Sequence, residues 1–239
     1  LQTQVGGFGV HPGRVIYLPN GPDARLRSQP APGHVQQSAL RAKLGLGEAP
    51  FALYLGHIPH GNDLDLALEA LARIGGRLPE ARLVIAGVGD GLVALQAQAG
   101  QIGVSDRVLF PGWVEPQEAP TYLAAANVVI NPYRDTLINR AKCAGKVVAA
   151  MAAGKAVVTT RVGENLAYIE DGRSGVLTEP GDAGELAQAL LTLLSKPERA
   201  SELGRHARAR IWGKYDWDAR IGLVEGAYRM AMYQQEEEA

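Results

Sequence analysis

The sequence predicts an α/β protein built on a doubly wound parallel sheet with helices on both faces. Segments of strand character alternate along the chain with segments of helical periodicity. The strand segments are short and almost wholly apolar, as in parallel strands that are covered on both faces. The chain has 239 residues, 46% hydrophobic and 21% charged, which suits one globular domain with a full core.

Strand segments follow one another at intervals that leave room for a crossover helix. The first of them ends in the turn Pro19-Asn20-Gly21-Pro22. The predicted strands are residues 14–18, 51–55, 82–86, 108–110, 128–130 and 156–158. We therefore expect a sheet of about six parallel strands.

Helices are predicted from apolar residues that recur every three or four positions. In the helix after the second strand, one face carries Leu64, Leu68, Leu71 and Ile74. Asp63 is the expected N-cap of that helix, and Asp182 with Glu185 resembles a capping box for a later one. The other predicted helices are residues 35–44, 91–100, 116–126, 198–214 and 217–233, and one that opens near 142–146.

Composition and charge exclude several classes of function. The formal net charge is −1, so we expect no nucleic-acid partner. A single cysteine, Cys143, excludes an internal disulfide framework. No apolar run approaches the ~18 residues of a membrane span and no secretory leader is visible, so we expect a cytoplasmic protein without a transmembrane segment. Because the chain starts at Leu1 rather than Met, we also expect it to be part of a longer protein.

Residues 142–146 place two lysines and a glycine where a helix should begin. Backbone N–H groups and the helix dipole, reinforced by the ammonium groups of Lys142 and Lys146, suit a diphosphate. The alternative is an ordinary crossover helix with solvated lysines. Both interpretations remain open at this point.

The turn Gly87-Val88-Gly89-Asp90-Gly91 follows a predicted strand and opens a helix. Glycines there let a ligand approach the backbone. Leu92 follows Gly91 and no acidic residue closes a second strand about twenty residues on, so a nicotinamide site is disfavoured.

One segment resembles a known family. Residues 151–177, MAAGKAVVTTRVGENLAYIEDGRSGVL, are similar to the donor-binding domain of retaining GT-B glycosyltransferases of the large glycosyltransferase group 1 family. The family's Met-Ala-x-Gly-Lys/Arg-Pro-Val-Val run matches residues 151–158, and its Asp-Gly-x-x-Gly-x-Leu-x-x-Pro-Gly-Asp stretch matches residues 171–182. The resemblance implies one Rossmann-like half of a GT-B fold, a nucleotide-sugar as substrate, and neither a cofactor nor a metal.

Two basic positions of the family are altered. Family members carry an arginine and then a lysine after the strand matched by residues 51–55, and these clamp the donor diphosphate. Here the two positions hold His57 and Asn62. His57 is either a partly cationic ligand or a surface turn residue. Val114 matches the stretch whose backbone meets the nucleobase, although it and Trp113 would also serve simply to cover the sheet edge.

Three acidic positions are altered as well. The family's Glu-x7-Glu pair falls on Ala141 and Ala149, and the acidic residue that often follows the Val-Gly turn falls on Ala167. The second glutamate commonly accepts hydrogen bonds from both ribose hydroxyls, which an alanine methyl cannot do. We expect weaker donor binding as a result.

Two functions follow from these residues. The first is the donor-binding domain of a glycosyltransferase. Residues 1–13 would then be a linker remnant, and residues 217–239 a crossover helix and an acidic tail. This last helix would contact a missing acceptor domain or a partner protein. The second is a degenerate, non-catalytic module that binds or scaffolds. A sugar-nucleotide epimerase fits the motifs less well. No catalytic residue is assigned, and the isolated chain is expected to be inactive. The residues expected to bind the donor are Gly56, His57, Asn62, Gly87, Gly89, Gly91, Val114, Lys142, Lys146, Gly163, Glu164 and Asn165.

Overall fold

The computed structural model describes residues 9, 11, 15–28, 30–59 and 63–237, with the backbone alone for residues 219 and 233–237. Its centre is a six-stranded sheet in the order β3-β2-β1-β4-β5-β6, in which every neighbouring pair is parallel. The strands are β1 (Phe51–Leu55), β2 (Arg82–Ala86), β3 (Val108–Gly112), β4 (Val128–Asn131), β5 (Ala156–Thr160) and β6 (Val176–Thr178). The strand order reverses direction between β1 and β4, which is where doubly wound folds place their ligands.

Helices cover both faces of the sheet. They are α1 (Arg25–Ser28), α2 (His34–Lys43), α3 (Asp65–Ile74), α4 (Leu92–Gln101), α5 (Ala119–Ala125), α6 (Leu137–Ala141), α7 (Gly145–Ala152), α8 (Asn165–Tyr168), α9 (Ala183–Ser195), α10 (Pro197–Lys214) and α11 (Trp217–Glu237). Within the described part of the chain, none of them has both the length and the apolar character needed to cross a membrane.

The core has two halves, one on each face of the sheet. Successive strand residues point to opposite faces, so Val128 and Ile130 of β4 pack with α3 and α9, while Val129 packs with α7 and α10. The half that contains α3 and α9 is almost entirely aliphatic, whereas the other half also contains the aromatic residues Phe51, Tyr122, Tyr168 and Tyr215. This rigid frame fixes where the loops leave the carboxyl ends of the strands.

The predicted fold class and strand count are confirmed, and one predicted strand is wrong. Residues 15–18 form no strand, and Ile16, Tyr17 and Leu18 are exposed rather than covered on both faces. The sixth strand is β6, which the sequence analysis missed because three residues carry too little periodicity. The segment between β4 and α7 contains the short helix α6, which was not among the predicted helices.

Of the two predicted helix caps, Asp182 is confirmed and Asp63 is wrong. Asp182 caps α9 as predicted, since its carboxylate accepts the backbone N–H groups of Gly184 and Glu185 at 2.7 and 3.0 Å. The Glu185 carboxylate accepts from the Glu179 N–H instead of reaching back to Asp182. The prediction that Asp63 caps α3 is wrong: Leu64 occupies that position, and no described side chain caps the helix. The Asp63 carboxylate instead accepts hydrogen bonds from Arg134 and Asn139, which lie about seventy residues further along the chain.

Candidate functional site

A pocket of about 310 Å³ lies where the sheet order reverses, beyond the carboxyl ends of β1 and β4. Its lining includes Tyr54, His57, Tyr133, Lys142, Cys143 and Lys146. β1 supplies Tyr54, the loop after β1 supplies His57, and the segment from the end of β4 to the first turn of α7 supplies the others. The chain therefore brings His57 together with both lysines of the predicted anion site, which lie about 90 residues away in sequence. We refer to this cavity as the switch-point pocket.

Lys146 lies in the first turn of α7, at the bottom of the pocket. Its ammonium donates a hydrogen bond to the Tyr54 hydroxyl and lies 4.1 Å from the centre of the Tyr54 ring. Burial, and secondarily the charge of Lys142, lowers the pKa of Lys146 to about 8. The amine is thus poised to regain its full charge when an anion enters the pocket.

Tyr54 fixes the orientation of this amine. Its hydroxyl donates to the His57 carbonyl oxygen at 2.7 Å, so its lone pairs face Lys146. Burial raises the pKa of Tyr54, which keeps the phenol protonated as this arrangement requires. Tyr54 was not among the predicted site residues, although a hydroxyl near the carboxyl end of a parallel strand is a signal that could have identified it.

Lys142 also lines the pocket. Its ammonium donates to Asn139 Oδ1 at 2.7 Å and lies 5.0 Å from the centre of the Tyr133 ring. Lys142 is the C-terminal cap of α6, while α7 begins three residues later without a described side-chain cap. An uncapped helix N-terminus between two ammonium groups is a favourable environment for an anion.

His57 faces the pocket from the loop after β1. Its Nδ1 lies 3.0 Å from the Val88 carbonyl oxygen and must donate to it, which leaves Nε2 as the ring's other polar atom. This bond ties the β1 loop to the glycine-rich turn after β2. The predicted ligand Asn62 lies outside the described residues.

The glycine-rich turn packs tightly against the β1 loop. At Gly87, φ is +152° and a Cβ would overlap the Gly56 carbonyl oxygen; at Gly56, φ is +144° and a Cβ would overlap the Lys146 side chain. Only glycine fits this close approach of two loops and a lysine. Farther along the turn, Gly89 lies against Ile58, and the Gly91 N–H donates to the Ile58 carbonyl at 3.1 Å.

The remaining predicted residues, Val114, Gly163, Glu164 and Asn165, are not among those that line the pocket. The Val114 side chain is buried in the core, so its backbone is what remains for a ligand. Gly163 packs against the backbone of Arg140. Asn165 uses its amide internally, donating to Thr159 Oγ1 at 2.8 Å, while its Oδ1 is buried without a described partner.

Glu164 lies next to Cys143 rather than facing a lysine. Burial, followed by the Glu164 carboxylate, raises the pKa of the Cys143 thiol. A thiol in that state is a poor nucleophile, so Cys143 serves as a neutral wall of the pocket. Among the described residues no group of three His, Cys, Asp or Glu side chains is arranged to hold a metal ion.

A partly buried polar cluster, which reaches the pocket through the lining residue Asp63, was missed by sequence reasoning. Asp63 accepts from the Arg134 backbone and guanidinium and from Asn139 Nδ2, and Arg134 also pairs with Asp65. The hydrogen-bond partners in this cluster come from the segments after β1 and after β4. A local sequence pattern therefore could not identify these residues, and the tertiary structure was needed to find them. Hydrogen bonding to Asp65 and Asp63 raises the pKa of Arg134, which therefore stays charged.

Comparison with known proteins agrees with this architecture. A family model described as glycosyl transferases group 1 matches residues 49–196, well over half of the chain. A D-inositol 3-phosphate glycosyltransferase 2 from Catenulispora acidiphila is 31% identical over 92% of this chain and 52% of its own length. A GDP-mannose-dependent phosphatidylinositol monomannoside mannosyltransferase from Mycolicibacterium smegmatis is 29% identical over 84% of this chain and 54% of its own.

A solved structure, Anabaena HepE in complex with UDP-glucose, superposes with a TM-score of 0.77 at 22% identity, over 97% of this chain and 61% of that protein. This likeness concerns the fold. The chain spans about half the length of the relatives that it matches in sequence. By its family match and its identity to these relatives, the chain belongs to the group 1 glycosyl transferases.

Proposed function

We propose that this chain is the donor-binding domain of a retaining glycosyltransferase, which holds the diphosphate of a nucleotide-sugar in the switch-point pocket. One observation carries the proposal: Lys142 and Lys146 converge beside the uncapped N-terminus of α7 in a cavity of about 310 Å³. The acceptor is bound by another part of the protein.

The two lysines take over a task that the family gives to other residues. Where relatives of this family carry an arginine and a lysine after the first strand, this chain has His57 and Asn62. Lys146 and Lys142 supply the missing positive charge from other elements that line the same pocket as His57. In a partly buried site such charges stabilise the negative charge that develops on the departing nucleoside diphosphate.

The accessible side of α7 indicates where the nucleoside would extend. Five of the eight residues of α7 are buried, and the three that are not are Gly145, Lys146 and Ala149. Because Ala149 lies one turn beyond Lys146 on that side, it faces the same space. A ribose there would meet a methyl group instead of the glutamate that the family usually provides.

Calorimetric titration of the purified chain tests the proposal. The names of similar proteins mention GDP-mannose and UDP-glucose, so the panel contains GDP, UDP, GDP-mannose, UDP-glucose and inorganic pyrophosphate. We expect at least one nucleoside diphosphate to bind, and Lys146→Met to weaken its affinity about tenfold or more. The matched control is Lys43→Met, because Lys43 is an exposed lysine that pairs with Glu118 outside the pocket.

A second candidate function is a non-catalytic binding or scaffolding module. The observation that favours it is the alanine at positions 141, 149 and 167, where the family usually carries acidic residues. In that case no member of the panel would bind at millimolar concentration, and Lys146→Met would behave like Lys43→Met.

The last helix offers a surface for the rest of such a protein. In α11 the side chains of Ile221, Leu223, Tyr228, Met230 and Met232 are exposed. We propose that these residues pack against the acceptor-binding part of the full-length protein or against a partner protein. The predicted linker remnant, residues 1–13, lies largely outside the described residues.

A further inference from the structure

The pocket holds its two lysines in different ways. Lys146 is half-buried and packs against Tyr54, whereas Lys142 is an exposed residue that also lines the pocket. The contact that brings this ammonium into the pocket is its 2.7 Å hydrogen bond to Asn139 Oδ1. Asn139 itself is buried, with 5% of its surface exposed.

The orientation of the Asn139 amide is fixed from its other end. Its Nδ2 donates to Asp63 Oδ2 at 2.8 Å and to the Arg134 carbonyl oxygen at 2.9 Å. Both donor hydrogens are therefore used, and the acceptor oxygen must point towards Lys142. A flipped amide would face the ammonium with its own donors and face the Asp63 carboxylate with its oxygen, which is unfavourable at both ends.

Asp63 is in turn held by a charged partner. Its carboxylate pairs with the Arg134 guanidinium at 3.1 Å and accepts the Arg134 backbone N–H at 3.0 Å. Asp63 comes from the loop that follows β1, while Arg134 and Asn139 follow β4. The chain of contacts Arg134–Asp63–Asn139–Lys142 thus crosses the point where the sheet order reverses and ends inside the pocket.

We propose that Asn139, oriented by Asp63, is a positioning residue that fixes the Lys142 ammonium for the donor diphosphate. This inference rests on the proposed function of the pocket. A lysine side chain has four rotatable bonds, and fixing it only when the ligand arrives costs affinity. Because the Asn139 amide already fixes the Lys142 side chain in the folded protein, this loss of conformational entropy does not occur on binding.

A double-mutant cycle tests this role. The variants are Asn139→Leu, Lys142→Met and the two combined, each titrated with UDP, GDP and inorganic pyrophosphate in the complete chain. We expect Asn139→Leu to weaken diphosphate binding about three- to tenfold. In the Lys142→Met background the same substitution should have no effect, because the side chain that it positions is absent.

A purely structural role for Asn139 gives a different pattern. In that case Asn139→Leu lowers affinity equally with and without Lys142, and the inference is overturned. Asp63→Asn is the second variant, in case Asn139→Leu does not fold; it should also lose its effect when Lys142 is absent. An unchanged affinity in this variant likewise overturns the inference.

Titration of the Lys146→Met variant distinguishes a failure of this inference from a failure of the proposed function. If Lys146→Met weakens binding while the Asn139 and Asp63 variants show no coupling to Lys142, the pocket binds diphosphate but the positioning role is wrong. If neither lysine matters, or the unmodified chain binds none of the three probes, the proposed function fails and the inference falls with it.

Discussion

At the scale of single residues, the lowered pKa of Lys146 makes the stability of the chain depend on pH. Burial, with a smaller contribution from Lys142, lowers its pKa to about 8, whereas the amine of an unfolded chain titrates near ~10.4. Between these values the unfolded state binds more protons than the folded state. The free energy of unfolding therefore rises with pH across this window, because the cost of burying the charge disappears. Lys155, whose pKa burial also lowers to about 8, acts in the same direction.

Urea unfolding at two pH values measures this effect. We expect the unfolding free energy to rise between pH 7.5 and pH 9.5, and the rise to be smaller in Lys146→Met by on the order of 1 kcal/mol. Lys43→Met should show the same rise as the unmodified chain. Ionisation of Cys143 and of the tyrosines opposes this rise, but the compared chains share these residues, so their contribution cancels in the comparison. An identical pH dependence in Lys146→Met would show that this amine is not buried in its charged form.

Binding should follow the opposite trend with pH. A diphosphate needs the protonated amine, so its affinity should fall as pH rises above about 8, where the Lys146 amine of the free protein loses its proton. The measurement is a titration with inorganic pyrophosphate at pH 7.0 and 9.0. In Lys146→Met the remaining affinity should depend less on pH.

The second single-residue prediction concerns Ala149. Replacing it by glutamate should tighten nucleoside diphosphate binding by about 1.5–3 kcal/mol if the carboxylate reaches both ribose hydroxyls. Calorimetry with UDP and GDP, compared with pyrophosphate, measures the gain, and pyrophosphate should gain nothing because it has no ribose. Ala149→Gln is the uncharged control. If Ala149→Glu changes nothing while Lys146→Met abolishes binding, the phosphate site stands and the placement of the ribose is wrong.

At the scale of elements, the close approach of two glycine turns sets the shape of the pocket. The β1 and β2 loops lie so near each other that Gly87 has no room for a side chain, and its φ of +152° is unfavourable for any other residue. The Gly87 N–H also donates to the Gly112 carbonyl at 2.8 Å, which joins the end of β3 to the same turn. A change at Gly87 must therefore move several loops at once.

Gly87→Ala should lower the free energy of unfolding by at least about 1–3 kcal/mol and abolish nucleotide binding. Gly76→Ala is the matched control, since a Cβ at Gly76 meets nothing within 4 Å and its φ is not positive. Urea unfolding and calorimetry check both variants. Equal stabilities of the two would mean that the loops can separate without cost.

At the scale of the whole molecule, the proposed function gives this six-stranded sheet the donor side of a reaction cleft. It spans about half the length of its sequence relatives, and α11 exposes a series of apolar side chains. We predict that the chain binds a nucleotide-sugar but transfers no sugar on its own, because the proposed function assigns acceptor binding to another part of the protein. Incubation with radiolabelled UDP-glucose or GDP-mannose and candidate acceptors tests this, and transfer by the isolated chain would contradict it.

The exposed side chains of α11 give a further prediction. Ile221→Ser and Tyr228→Ser should each change the unfolding free energy of this chain by less than about 0.5 kcal/mol, because 55% and 70% of their respective surfaces are exposed. In a longer protein that contains the covering part, the same changes should be destabilising. Urea unfolding of the two lengths makes the comparison, and a large loss in the short chain would show that α11 packs within it.

The sequence by itself determined the fold class and most of the elements. Strands such as Phe51–Leu55 and Arg82–Ala86 were predicted to the residue, since a buried parallel strand is a continuous apolar run bounded by turns. The apolar run at residues 15–18 has the same local character but is exposed and forms no strand. Whether an apolar segment joins a sheet depends on a neighbour to pair with, which local pattern does not reveal.

Only the tertiary structure decided how the site is assembled. The residue types of Lys142, Lys146 and His57 indicated an anion site, but their convergence on one pocket depends on the sheet order, which places β1 next to β4. Asp63 has the sequence pattern of a helix cap, yet it binds Arg134 and Asn139, because a buried carboxylate takes the strongest donors within reach. Local sequence determines periodicity and caps, whereas burial and long-range partners determine which side chains meet and how they are charged.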